Sequence, residues 1–217
     1  TRYTIPSFFK IPLGFLQALY ILIKFKPSLI LSFGGYISLP IVLAGSLLRI
    51  PVMIHEQTMG AGLSNKIAAL FAKKVLISWD SSRKFFPKKK TILTGNPVRE
   101  EIFMVKGNGL RVMGSLPIIY VTGGSLGSHT INMAIEQIIK KLLKDFIVIH
   151  QTGDSRRYKD IEKLSKLRAC MNQELRERYF LVKHVDLSNI GWVLNKAALV
   201  VGRSGANTVS ELIALGK

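Results

Sequence analysis

Three glycine-rich segments of this 217-residue sequence lie at the ends of predicted strands, at residues 34–35, 123–127 and 202–205. Open parallel sheets bind ligands at the carboxyl ends of their strands. Glycine lets the backbone approach a phosphate closely, and the amides of a following helix attract the anion. Three such loops predict a ligand that carries phosphate. None of them matches a dinucleotide fingerprint or a P-loop, which argues against a dehydrogenase or a P-loop ATPase.

His55 and Glu56 are the candidates for acid–base chemistry, because they stand at the end of a predicted strand. A histidine beside a carboxylate can move a proton. Adjacent residues of a strand point to opposite faces, so the two side chains need not touch. The alternative for His55 is a hydrogen bond that caps the end of the strand.

Arg99 and Glu211 are the candidates for binding a diphosphate and its sugar hydroxyls. Arg99 could reach a diphosphate from a linker, or it could form a surface ion pair with Glu100 or Glu101. Glu211 follows the third glycine segment by about one helical turn, where a carboxylate can accept hydrogen bonds from hydroxyls. Its alternative is a first-turn acid that interacts favourably with the helix dipole. The sequence has no His/Cys cluster and no Asp-x-Asp, so no metal site is predicted.

Strand and helix signals alternate along the whole chain, which predicts parallel sheets covered by helices. The pattern breaks at a Gly-rich stretch over residues 106–116, and we therefore predict two Rossmann-like domains, residues 1–99 and 100–217. One predicted helix carries an apolar face of Leu63, Ile67, Leu70 and Phe71. Further helices are predicted over residues 40–48, after residue 127, over 155–178 and from 208. Strands are predicted at residues 29–33, 52–55, 75–78, 91–94, 118–122, 146–150, 180–182 and 199–201.

The net charge of +18 is unevenly distributed. Residues 1–99 hold 14 lysines and arginines against two acids, a net charge of +12. Such a potential attracts either nucleic acid or an anionic leaflet. The apolar run over residues 11–25 has basic flanks and is too short for a typical spanning helix, which favours a helix lying on a membrane or packed on a sheet. Without interleaved aromatic residues or a nucleic-acid motif, a nucleic-acid-binding protein is the weaker alternative. The single cysteine, Cys170, suits a reducing compartment.

The ordered motifs of the chain resemble those of the peptidoglycan N-acetylglucosaminyltransferases of glycosyltransferase family 28, the MurG family. These motifs are FGGYIS at residues 33–38, HEQ at 55–57 with GLSNK at 62–66, GNPVR at 95–99, GGSLG at 123–127 and RSGANTVSE at 203–211. The resemblance covers nearly the whole chain. It implies a GT-B fold, in which two Rossmann-like domains with parallel sheets face each other across a cleft, both incomplete here.

The resemblance implies inverting transfer of N-acetylglucosamine from UDP-N-acetylglucosamine to the 4-hydroxyl of undecaprenyl-pyrophosphoryl-N-acetylmuramoyl-pentapeptide, which converts lipid I to lipid II. It implies no cofactor, no metal and no nucleic-acid partner. The expected location is the cytoplasmic side of the bacterial inner membrane, as a peripheral protein on an anionic surface. A same-fold alternative is a diacylglycerol glycosyltransferase, against which the HEQ and NPVR motifs weigh.

Site residues are carried over only where this sequence matches the motifs. The resemblance places Ser125 and Arg99 on the diphosphate, the backbone of Val185 on the uracil and Glu211 on the ribose. Thr58 stands where the family often has Asn, and its hydroxyl is a candidate donor contact. Further donor contacts are expected at Ala206, Asn207, Thr208, Val209 and Ser210, a polar helix position at Asn132, and acceptor-side groups at Tyr36, His55 and Glu56.

The chain is also expected to be a fragment, because it begins at Thr1 and its last helix signal runs to Lys217. The family resemblance places a first glycine loop with a histidine before residue 1 and a Gln-rich donor-sugar segment beyond residue 217. That histidine is a further candidate for the general base.

Overall fold

The computed structural model describes residues 5–104, 115–154 and 157–217, with the side chains of the first helix described from Pro12 onward. The chain divides into two units, Thr1–Asn96 and Pro97–Lys217. Arg99 therefore lies in the second unit, whereas the sequence predicted it at the end of the first domain. Most of the predicted linker over residues 106–116 falls outside the described residues.

The first unit is a four-stranded parallel sheet in the order β1-β2-β3-β4. Each strand is short, and the helices between strands return the chain to the same edge, as parallel pairing requires. The strands are β1 (Ile30–Ser32), β2 (Val52–Glu56), β3 (Lys74–Ile77) and β4 (Thr91–Leu93). The helices are α1 (Ile5–Phe25), α2 (Ser38–Leu47) and α3 (Leu63–Phe71), and 3₁₀ turns cover Asp80–Phe85 and Lys88–Lys90 between β3 and β4.

Helix α3 turns a different face to the core than its apolar pattern predicted. Asn65, Ala68 and Ala69 are buried, whereas Leu63 and Leu70 are largely exposed. Small residues let the helix approach the sheet closely, and Asn65 bonds to the strand end behind it.

Helix α1 packs against α2, and its Ala18 and Leu22 belong to the core of this unit. Its other side carries an exposed apolar stripe, and no helix among the described residues is long and apolar enough to cross a membrane. The stripe consists of Leu13, Leu16, Tyr20 and Ile23.

The second unit is another four-stranded parallel sheet, in the order β7-β6-β5-β8. Strands β5 and β6 are buried at every position, which suits the apolar residues that begin each of them. The strands are β5 (Ile118–Thr122), β6 (Ile147–Gln151), β7 (Tyr179–Val182) and β8 (Ala197–Gly202). The helices are α4 (His129–Asp145), α5 (Asp160–Ala169), α6 (Gln173–Glu177), α7 (Leu187–Lys196) and α8 (Ala206–Ala214), with a 3₁₀ turn over Glu100–Phe103.

The sheet register brings the carboxyl ends of three strands level. Thr122 pairs with Gln151 on one side and with Gly202 on the other. The loops that follow β5, β6 and β8 therefore start side by side. The α/β fold with parallel sheets in both halves, predicted from the sequence, is confirmed.

Candidate functional site

The loop after β5 is built around glycines that leave no room for side chains. Gly127 has a φ of +75°, and a Cβ there would collide with the carbonyl oxygen of Thr152. A Cβ on Gly123 would collide with the backbone nitrogen of Ser128 at the start of α4. The loop is thus folded tightly against its own helix and against the end of β6, which exposes Ser125 and Leu126 at its tip.

This loop and the loop after β8 line one cavity of about 310 Å³. The predicted residues Ser125 and Thr208 both line it, together with Arg203. Helices α4 and α8 begin beside these loops, and the first amides of a helix have no intrahelical carbonyl to bind. A cavity between two glycine loops, two helix amino termini and an arginine suits an anion such as a diphosphate.

The remaining donor residues predicted on α8 lie on its first two turns. Ala206 begins the helix after Gly205, its N-cap residue, which has an extended backbone. Glu211 is the sixth helical residue and is buried, so it is not the first-turn acid that formed the alternative. Asn207, Val209 and Ser210 complete this segment.

Arg99 and Glu211 form a bidentate ion pair, although 112 residues separate them in sequence. The Nε of Arg99 donates to Oε1 of Glu211 at 2.7 Å, and Nη2 donates to Oε2 at 3.1 Å. The partner is therefore neither Glu100 nor Glu101, which were considered as the alternative. The hydrogen bonds to Glu211 raise the pKa of Arg99, and burial offsets part of that rise. The buried carboxylate thus has a charged partner for each of its oxygens.

Val185 lies in the loop after β7, and its backbone N–H is already engaged. It donates to Oε1 of Gln151 at 2.9 Å. The Val185 side chain is partly buried against the core of the unit. The backbone group that Val185 can offer to a ligand is therefore its carbonyl oxygen.

Asn132 is buried behind the glycine loop and does not line the cavity. Its Nδ2 donates to the carbonyl of Thr152 at 3.1 Å and to Oδ2 of Asp160 at 2.8 Å. Because Nδ2 faces two acceptors, Oδ1 must face a donor, and it accepts from Nε2 of His150 at 3.0 Å. Nδ1 of His150 then accepts from the Tyr179 hydroxyl at 2.9 Å. Burial lowers the pKa of His150 to about 4, so the imidazole is neutral.

His55 and Glu56, in the first unit, are both buried but face different partners. Nε2 of His55 donates to the carbonyl of Gly95 at 3.0 Å, which ties the end of β2 to the loop after β4. This is the capping role considered as the alternative for His55. Its Nδ1 is buried and has no hydrogen-bond partner among the described atoms.

Glu56 holds the loop that joins β2 to α3. Oε1 accepts from the backbone N–H of Thr58 at 3.0 Å and from its hydroxyl at 2.7 Å. Oε2 accepts from the N–H of Gly62 at 3.1 Å and from Nδ2 of Asn65 at 3.0 Å. Burial raises the pKa of Glu56, but these hydrogen bonds together outweigh burial and hold the pKa below its ordinary value of 4.5. The carboxylate is therefore charged and fully occupied.

The other predicted residues of the first unit lie at its surface. Thr58 is exposed, and its hydroxyl is committed to Glu56. Tyr36 is 74% exposed, in a loop where Gly34 and Gly35 both have a positive φ. No group of three or more His, Cys, Asp or Glu side chains in the described segments is arranged to hold a metal ion.

Two models of one protein family match the chain. Residues 1–77 match the glycosyltransferase family 28 N-terminal domain, and residues 118–217 match the glycosyltransferase family 28 C-terminal domain. The chain belongs to glycosyltransferase family 28. The first match covers β1 to β3 of the first sheet, and the second covers all four strands of the second sheet.

Relatives within the family carry one name. The UDP-N-acetylglucosamine–N-acetylmuramyl-(pentapeptide) pyrophosphoryl-undecaprenol N-acetylglucosamine transferase of Treponema denticola is 35% identical, with 96% of this chain and 55% of that protein aligned. The protein of that name from Lachnospira eligens is 37% identical, with 96% and 56% aligned. The chain thus spans about half the length of these relatives.

The fold is similar to that of a solved member of the family. The crystal structure of Acinetobacter baumannii MurG matches with a TM-score of 0.64 and 27% identity, over 96% of this chain and 56% of that chain.

Three polar residues behind the site escaped the sequence analysis: Gln151, Tyr120 and Asp160. All three are buried. Gln151 and Tyr120 lie within apolar strands, where neither forms part of a motif. For Gln151, the signal that was available is a polar side chain at the end of a buried strand, which must find partners in the loops around it.

We expect Glu56→Gln to destabilise the first unit, because an amide nitrogen would then face donors that now bind a carboxylate oxygen. The free energy of unfolding at pH 7 should fall by about 1–3 kcal/mol. Since the folded-state pKa of Glu56 is lowered, its contribution is present above the unfolded-state pKa and is lost as pH falls through the folded one. The difference between variant and wild type should therefore shrink below about pH 4.

Urea unfolding across this pH range measures the effect, with Glu177→Gln, an exposed acid on α6, as the control. Equal stability of Glu56→Gln and wild type at pH 7 would contradict the assigned role of this carboxylate.

Proposed function

We propose that the full-length protein transfers N-acetylglucosamine from UDP-N-acetylglucosamine to the 4-hydroxyl of the N-acetylmuramoyl unit of an undecaprenyl-pyrophosphoryl acceptor. The observation that carries this proposal is the cavity between the loops after β5 and β8, which suits a diphosphate. Membership of glycosyltransferase family 28 and the shared name of the relatives support the choice of donor and acceptor.

The diphosphate is proposed to lie against Ser125 and the amides at the start of α4 and α8. These dipoles and Arg203 offset the negative charge that develops as UDP leaves, without a step through a metal ion. Arg203 lines the cavity directly. Arg99 uses two of the five N–H donors of its guanidinium for Glu211. The other donors are proposed to bind the diphosphate.

Glu211 is proposed to accept hydrogen bonds from the ribose hydroxyls. Each carboxylate oxygen has two lone pairs, and Arg99 uses one on each. Two acceptor positions therefore remain, on a carboxylate whose orientation the arginine already holds. Such a fixed acceptor binds a diol without a large entropic cost for ordering the side chain.

The uracil is proposed to meet the carbonyl of Val185. Because the N–H of Val185 is donated to Gln151, the group that this backbone can offer a base is an acceptor. Uracil presents an N3–H donor on its pairing edge, whereas cytosine presents an acceptor there. The arrangement thus favours a uridine nucleotide.

On the acceptor side, we propose that His55 and Glu56 are both positioning groups. Nε2 of His55 donates to Gly95 and Nδ1 is buried, so neither ring nitrogen is open to a substrate hydroxyl. Both oxygens of Glu56 are bound to the loop after β2. The attack inverts the anomeric centre, with the hydroxyl proton passing to a general base other than these two groups.

The first unit is proposed to dock on the anionic cytoplasmic face of the bacterial inner membrane, where a lipid-linked sugar is presented. The exposed stripe of α1 supplies apolar contact, and Lys24 and Lys26 lie exposed at the end of that helix. Each basic residue near an anionic surface contributes about 1 kcal/mol, and the attraction fades within a Debye length. Binding of this kind is reversible.

Glu211→Gln tests the donor site, because the amide loses the charge that Arg99 binds and can offer its nitrogen where an acceptor is needed. We expect UDP to bind the full-length variant about 10- to 100-fold more weakly, which matches the 1.5–3 kcal/mol of a hydrogen bond to a charged group. Isothermal titration calorimetry measures the change, with Glu177→Gln as the control. An unchanged dissociation constant would remove Glu211 from the donor site.

Leu16→Glu tests membrane docking through α1. We expect co-sedimentation of the full-length protein with vesicles containing anionic lipid to fall at least fivefold, since a charge would replace an apolar contact inside the interface. Ile138→Glu, an exposed apolar position on α4, is the matched control and should bind like wild type.

Wild-type binding should weaken in high salt and on neutral vesicles. Equal binding to neutral vesicles at all salt concentrations would contradict the electrostatic part. Equal binding of wild type and Leu16→Glu would remove α1 from the docking surface.

A further inference from the structure

Gln151 is the last residue of β6, a central strand of the second sheet, and only 8% of its surface is exposed. Strand β6 lies between β7 and β5, whose following loops carry Val185 and the glycines at residues 123–127. The Gln151 side chain therefore stands between two loops that begin on strands which are not neighbours.

The amide of Gln151 bonds to both of these loops. On the side of β7, Oε1 accepts from the N–H of Val185 at 2.9 Å. On the side of β5, Nε2 donates to the carbonyl of Gly124 at 3.2 Å and to the hydroxyl oxygen of Thr122 at 3.3 Å. The Tyr120 hydroxyl donates to Oε1 at 3.2 Å.

These contacts leave one orientation for the amide. An exchange of Oε1 and Nε2 would point an NH₂ group at the N–H of Val185 and an oxygen at the carbonyl of Gly124. Both contacts would then be repulsive and buried, which costs more than the loss of ordinary hydrogen bonds. Gln151 thus joins the two loops through an amide that donates to one loop and accepts from the other.

Gln151 is also linked, through Thr122, to the first turn of the glycine loop. The hydroxyl oxygen of Thr122 also accepts from the N–H of Gly124 at 3.1 Å. This oxygen therefore links the Gln151 side chain to the loop backbone. Thr122 and Gly124 both line the cavity. Displacing Gln151 would therefore shift the cavity wall without removing any group that touches a ligand.

We infer that Gln151 is a positioning residue that sets the distance between the base-side loop after β7 and the diphosphate loop after β5. This inference rests on the proposed function, in which a uridine diphosphate spans these two loops. A ligand with two linked parts gains affinity only when both subsites lie at the spacing of its own bonds. Because Gln151 fixes this spacing, the site binds a linked nucleoside diphosphate more tightly than it binds the separate parts.

The test replaces Gln151 by Met in the full-length protein, which keeps the length of the side chain and removes all four hydrogen bonds. We expect UDP to bind at least tenfold more weakly by calorimetry, and the KM for UDP-N-acetylglucosamine to rise in proportion. Uridine and inorganic pyrophosphate, titrated separately by ligand-observed NMR, should each change in affinity by less than about threefold, because each touches only one of the two loops that Gln151 joins.

Tyr179→Phe is the matched control, since it removes one buried hydrogen bond from the same sheet, to His150, and touches neither loop. It should bind UDP like wild type. If Gln151→Met does not fold, Gln151→Glu replaces it. The carboxylate keeps the accepting end toward Val185 and loses the donating end toward Gly124, and the same pattern of affinities is expected.

Equal weakening of UDP, uridine and pyrophosphate would overturn the inference, because it would show general damage rather than a lost spacing. Unchanged UDP affinity in a folded Gln151 variant would overturn it as well. If wild-type protein binds no UDP, the proposed function fails instead, and this result is distinct from either of those.

Discussion

Burying a polar side chain at the end of a strand costs free energy unless its donors and acceptors find partners. Both sheets carry such side chains at their carboxyl ends, Glu56 in the first and Gln151 in the second. In each case the partners are backbone groups of the loops that follow the strands. Satisfying the buried group therefore holds the loop in place. The loops of the candidate site have their shapes because the polar residues behind them must be satisfied.

This constraint explains why most residues that line the cavity have small side chains, whereas those behind it form hydrogen-bond networks. Glycine, serine and threonine line the cavity, together with Leu126 and Arg203. Behind it stand a bidentate ion pair, a fully bonded glutamine and a chain of hydrogen bonds from Asp160 through Asn132 to His150. Preorganised amides stabilise developing charge at little reorganisation cost, and the buried residues supply that preorganisation.

Much of the fold could be predicted from the sequence, because its parallel strands are short apolar runs that alternate with helix signals. All eight strands were predicted to within a few residues. Helix faces were predicted less well. Helix α3 packs through Asn65 and two alanines, whereas Leu63, Leu70 and Phe71 of its apolar face lie outward. Helix α7 was missed, because it contains a glycine, a serine and two asparagines, which are weak helix formers.

Within the site, residues that belong to local motifs could be predicted from the sequence, but pairings between residues distant in sequence could not. The glycine loops and the segment before Glu211 could be identified from residue types that a phosphate site needs. The pairing of Arg99 with Glu211 joins residues far apart in sequence, and the role of Gln151 depends on which strands are neighbours. The order β7-β6-β5-β8 determines both, and a single sequence contains no direct signal for it.

The most direct measurement of the proposed function is a transfer assay with the full-length protein, UDP-N-acetylglucosamine labelled in the sugar, and lipid-linked acceptors in vesicles. The account predicts that label enters the lipid fraction only with the undecaprenyl-pyrophosphoryl-N-acetylmuramoyl acceptor, and that UDP is released in equal amount. Label that enters a diacylglycerol acceptor equally well, or UDP-N-acetylglucosamine that is bound and never transferred, would contradict it.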